Sequence, residues 1–188
     1  KIKTYCVDHG FKKMPLMAKG HCCLTGVLQK IIIKIAQESG KLISKDKAGV
    51  KTLHRQTLIG ILAMNSDFAE FYRPIIQNYD KDYSHEGSSF VTDRDLNALL
   101  AEVNGDLALS PKCRDFVHHL LIKTSTEIIG IAMIAMEFAK RTSFNPDAVI
   151  AGIKAQKIGG ALKADLIQEC ERIAKAWKDE PDEDAEEE

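Results

Sequence analysis

A chain of 188 residues has room for one ordinary domain or two small ones, and 45% hydrophobic with 28% charged residues is the balance of a soluble globular protein. Its longest largely apolar run, IIGIAMIAMEFA at 128–139, ends at Lys140-Arg141 and falls short of the ~18 residues of a membrane span, so no membrane partner is expected. The net charge of −1 is deceptive: eight of the 27 acids lie in DEPDEDAEEE at 179–188, leaving 26 basic against 19 acidic side chains before it. That is a basic body with an acidic, solvated tail.

Five cysteines at irregular spacing argue against a disulfide framework and for a reducing compartment. Cys6, His9, His21, Cys22 and Cys23 crowd together, but adjacent cysteines and a lone Cys-x-x-His lack the spacing of a zinc site. No metal and no cofactor is expected. No signal peptide is visible, and a start at Lys1 rather than Met leaves room for an upstream piece.

In chain order, residues 22–44 read as a helix, with Leu24, Val27, Leu28, Ile31, Ile32 and Ile35 on one face. A polar loop, KDKAGVKT, leads to a short helix over 53–63. DFAEFY continues or restarts that helix, and Arg73-Pro74 is expected to stop it, since proline lacks the N–H and restricts its predecessor. QNYDKDYSHEGSS at 77–89 is the best linker. Residues 92–104 form a helix capped by Thr92, with Leu96, Leu99, Leu100 and Val103 on one face. Gly105 and Asp106 end it.

Ser110 then caps a helix that opens on Pro111 and runs some 40 Å to Ala139. Its stripe is Phe116, Val117, Leu120, Leu121, Ile128, Ile131, Ala135 and Phe138. The loop KRTSF follows, Asn145 caps a short helix DAVIAGIKAQ, and beyond Gly159-Gly160 a last amphipathic helix runs to 177. Met133 and Met136 read as core, His118-His119 as a core edge and a surface position, and His54 as a loop or cap residue. No segment alternates with period two, so the fold class is all-α. KTLHRQTLIGI (51–61) and TSFNPDAVIAG (142–152) share a polar-then-apolar layout about 91 residues apart, the mark of an internal duplication.

These pieces resemble the core histones. LLAEVNGDLALSPKC and AKRTSFNPDAVIAGI are similar to the first-helix and second-loop regions of histone 2B, and the Gly159 turn and following helix have counterparts there. LTGVLQKIIIKIA, RQTLIGI and NSDFAEFY resemble histone 2A less closely. The resemblance covers about residues 2–177 and matches a fused histone doublet, as found in some large DNA viruses. It implies two tandem histone folds paired in an intramolecular handshake, plus a C-terminal helix and a disordered acidic tail. The divisions are a histone 2A-like fold at 1–76, a linker at 77–89, a histone 2B-like fold with its C-terminal helix at 90–177, and the tail at 178–188.

What the resemblance implies for function is double-stranded DNA wrapped without base specificity, beside a partner pair or doublet resembling histones 3 and 4. The place would be chromatin: a host nucleus, a viral factory or a virion. Arg141 matches the family's minor-groove arginine, flanked by phosphate contacts Lys140 and Thr142. Lys45, Lys47, Lys51 and Arg55 serve the first half, Lys112 stands near a helix N-terminus, and Arg94 is a further candidate. Tyr5, Asp8 and Pro15 replace bases in the first helix, with Lys12 and Lys13 close by. Gln29, Lys34, Gln37, Gly160 and Gln168 stand where the family's acidic patch has acids, and only Asp67 remains, so partners that dock an arginine there are not expected to bind. Two other readings stay open: a histone-fold transcription or chromatin accessory factor, and a histone-binding scaffold or chaperone suggested by the tail. No catalytic constellation is visible, so an enzyme is not expected.

Overall fold

The computed structural model describes residues 18–43, 52–82, 92–103, 107–141 and 143–177. Among the described residues the structure is all-α apart from one pair of two-residue strands. Its elements are α1 (Ala18–Ile43), β1 (Thr52–Leu53), α2 (Arg55–Met64), α3 (Ala69–Asp82), α4 (Asp93–Val103), β2 (Ala108–Leu109), α5 (Pro111–Phe138), α6 (Pro146–Ala155) and α7 (Gly160–Ala176). A long helix followed by a ten-residue helix occurs twice: 26 residues then 10 in α1 and α2, 28 then 10 in α5 and α6.

Capping chemistry sets several boundaries where the sequence indicates. Thr92 Oγ1 accepts from the Asp95 N–H at 3.2 Å, and Asp95 reaches back to the Thr92 N–H, also at 3.2 Å. This is a reciprocal cap that satisfies two otherwise orphaned donors. Ser110 accepts from Cys113 N–H at 3.3 Å and Asn145 from Ala148 N–H at 3.0 Å, each followed by proline at the first helical position. There the missing N–H is one no helix could have used.

The six apolar residues of the α1 stripe are all buried, and α1 packs most extensively on α7 and then on α4. α5 lies against α6, where Gly152 brings the helices so close that a Cβ would run into the Ile128 carbonyl. Tyr72 of α3 is fully enclosed against α5. Its hydroxyl meets Thr124 Oγ1 at 3.1 Å, and Thr124 donates in turn to the Leu120 carbonyl at 2.7 Å. Burial pushes the Tyr72 phenol up to about 12, partly offset by that hydrogen bond.

Three expectations are corrected here. Pro74 does not stop a helix; it lies inside α3. Pro74 itself is exposed, while Phe71 and Tyr72 before it and Tyr79 after it are buried. An interior proline costs about 3 kcal/mol. A buried aromatic of 150–250 Å² recovers about 4–6 kcal/mol at ~25 cal/mol per Å², so the packing wins. Residues 77–82, assigned to the linker, are the last turns of α3.

The third correction is the α5 stripe. Phe116 to Ile128 are buried as expected, but Ile131 and Ala135 are only half-buried and Phe138 is 86% exposed. Ile129, Ala132 and Met136 are buried instead. By length and composition alone α5 is also apolar enough to cross a membrane, although no uninterrupted run suggests it. Half of its most apolar window is buried inside the protein.

Candidate nucleic-acid interface

Near the N-terminal end of α5 the two halves of the chain meet through backbone. Thr52 pairs with Ala108 and Leu53 with Leu109 in parallel, and the Ser110 N–H donates to the Leu53 carbonyl at 3.0 Å. Leu53 and Leu109 are buried and pin the pair to the core. A helix starts directly after each strand: α2 from His54, whose backbone is extended, and α5 from Ser110. Parallel pairing therefore sets two helix N-termini side by side. Each carries the partial positive charge of a helix start, although on α5 Pro111 has no N–H to offer and Ser110 already accepts from the Cys113 N–H.

Between them lies a concavity of about 520 Å³ lined by His54, Arg55, Gln56, Ser110, Pro111 and Lys112. Among the described residues, two cations and no acid line it. The Arg55 guanidinium lies 5.4 Å from the centre of the Tyr79 ring, and Tyr79 stands edge-on to Phe116 at 4.9 Å. The aromatic pair thus supports a cation that is only half-buried. Lys112 is exposed.

Two other predicted cations, Lys140 and Arg141, sit at the far end of α5, about 40 Å away for a helix of 28 residues. Lys140 N–H donates to the Glu137 carbonyl at 3.1 Å and Arg141 N–H to the Met136 carbonyl at 2.9 Å. With Lys140 at φ 52 this is a Schellman termination, in which the left-handed position is normally glycine. Phe144 is buried and anchors the loop. Its carbonyl lies so near Gly20 of α1 that a Cβ there would collide with it.

Arg141 is half-exposed and already paired, with Nη1 2.9 Å from Asp147 Oδ2 on the first turn of α6. Arg94 is exposed on α4. Beside it Asp93 accepts from His118 at 2.8 Å, with Arg114 at 3.5 Å, and these partners hold its carboxyl below the ordinary range. Lys12, Lys13, Lys45, Lys47, Lys51 and Thr142 lie outside the described residues.

The fold thus brings Arg55 and Lys112 together and keeps Lys140 and Arg141 together at the opposite end. It does not join the two groups. Sequence reasoning missed three participants. Tyr79 was hidden in an apparent linker, although aromatic spacing from Phe71 and Tyr72 carries through it. Asp147 looked like a helix-start acid and no more. Gln56 carried no signal. Among the described residues, no three side chains able to hold a metal ion come together; Cys6 and His9 are outside that set. Comparison with family models, with curated proteins and with solved structures finds no match.

Proposed function

We propose that this chain is a fused histone-like doublet that binds and bends double-stranded DNA through its phosphates, without base specificity. It acts as the histone 2A–2B equivalent of a nucleosome-like particle, beside a partner resembling histones 3 and 4. In this reading each long helix with its ten-residue helix is the centre of one histone fold, and the two clasp in a handshake. The observation that carries it is the parallel pairing of Thr52-Leu53 with Ala108-Leu109. It sets two helix N-termini, Arg55 and Lys112 around a concave surface with no acid among the described residues of its lining. Cations set beside two helix N-termini are phosphate chemistry. A second cationic site at Lys140-Arg141, about one long helix away, gives a bent duplex two points of contact.

The test is binding of the full chain to a duplex of about 150 base pairs across a salt series. Phosphate-dominated binding loses affinity steeply with salt, by about 0.9 in log–log slope per phosphate contact. Replacing Arg55 and Lys112 with Gln, and separately Lys140 and Arg141 with Glu, should each flatten the slope by about 2. Absence of binding at low salt, or slopes that both pairs of substitutions leave alone, refutes the DNA reading and favours an accessory factor or scaffold.

A further inference from the structure

We propose that the cleft between α3, α5 and the end of α6 binds a short extended peptide segment in which an apolar side chain is flanked by arginine or lysine. The cleft holds about 290 Å³, room for one large apolar side chain and the backbone beside it. Phe71, Pro74 and Ile75 supply an apolar wall from α3. The run through Pro74 that sequence reasoning took for a helix stop is what builds this wall.

Two further observations say what the occupant must carry. Gln156, the C-cap of α6, lines the cleft and is only 7% exposed, and its amide nitrogen is buried without an acceptor. Buried donors are nearly always paired, and leaving one unpaired is costly. A rotation of the Gln156 side chain toward the cleft it lines would let a peptide carbonyl supply the missing acceptor. The second observation is charge. Among the described residues, Glu70 and Glu127 both line the cleft against one cation, Lys157. Lys157 is committed to Glu70 at 3.2 Å, and Glu127 has no ion pair among the described residues. The cleft therefore carries an unbalanced negative charge, which attracts a cation and repels an acidic ligand. None of these residues belongs to the candidate phosphate contacts, so the inference stands apart from the DNA reading.

The probe is a capped pentapeptide with leucine between two arginines, titrated into the ¹⁵N-labelled full chain. Controls replace the arginines with glutamate, or the leucine with alanine. The expected result is saturable shifts at Phe71, Ile75 and the Gln156 side-chain amide, with both controls clearly weaker. Glu127→Gln should weaken binding about fivefold, the scale of one exposed ion pair. Gln156→Leu should weaken it about tenfold while the melting temperature holds or rises, because the orphaned donor is gone. That second readout separates loss of the site from loss of the fold. No shifts at millimolar peptide, equal response to the glutamate peptide, or shifts confined to the acidic run at 179–188 overturns the proposal. So does a long-lived water on the Gln156 amide that the peptide fails to displace.

Discussion

Lys140→Gly should stabilise the fold and weaken DNA binding at the same time. Lys140 holds the left-handed position that ends α5, with φ at 52. An L-residue there costs about 1–2 kcal/mol, which glycine avoids. Glycine gives back about 0.5–1 kcal/mol through its freer unfolded chain. The net gain is about 0.5–1 kcal/mol, or about 1–4 °C in Tm for a chain of this size. The same change removes one cation beside Arg141. If Lys140 contacts one phosphate, the log–log salt slope falls by about 0.9. Between 50 and 200 mM salt the affinity gap between the variant and the native chain then closes by about 3.5-fold. Thermal melting reads the first effect and a salt titration of duplex binding reads the second. Lys140→Gln separates the causes, since it loses the charge but keeps the left-handed residue: the slope should fall with no gain in Tm. A Lys140→Gly chain that melts lower refutes the helix-end argument. One with an unchanged salt slope refutes the phosphate contact.

Three more outcomes follow from the same geometry. Gly152→Ala places a methyl against the Ile128 carbonyl and forces α5 and α6 apart, so it should cost about 1–3 kcal/mol or more by denaturant unfolding; a neutral result would mean the helices separate freely. Asp147→Asn releases Arg141 from an exposed ion pair worth about 0–1 kcal/mol. Tm should hardly move while low-salt DNA affinity rises up to about fivefold, and unchanged affinity would show that Asp147 does not compete with phosphate. The Asp93 carboxyl is depressed by its hydrogen bond from His118 and by Arg114, so its contribution is present above the ordinary carboxylate range and lost as pH falls through the depressed value. Melting curves of the native chain and Asp93→Asn should therefore converge in strong acid and differ near neutrality; a gap independent of pH would contradict this.

Much of the helical layout was legible because it is local. Thr92, Ser110-Pro111 and Asn145-Pro146 are start signals that act within one turn, and the structure starts helices at each. The α1 stripe was legible because all six residues share one face at helical spacing and that whole face is covered. The failures are places where a distant partner decides. Pro74 looked like a stop because its penalty is local, while the burial that outweighs it comes from contacts with α5. Phe138 looked like core because it fits the period, yet the face α5 buries shifts along its length to meet α6.

The candidate interface divides the same way. That Lys140-Arg141 sit in a loop between two helices follows from the sequence alone, because the flanking stripes and the Asn145 cap leave nowhere else for them. Tertiary structure decided that Leu53 pairs with Leu109, 56 positions away. The same pairing places Arg55 and Lys112 around one concavity. It also decided that Arg141 spends its charge on Asp147 and that Tyr79 leaves an apparent linker to support Arg55. Helix period, capping and turn chemistry are properties of neighbours in sequence. Which cations share a surface, and which are already neutralised, depends on how the apolar faces close on one another, and no short window of residues contains that information.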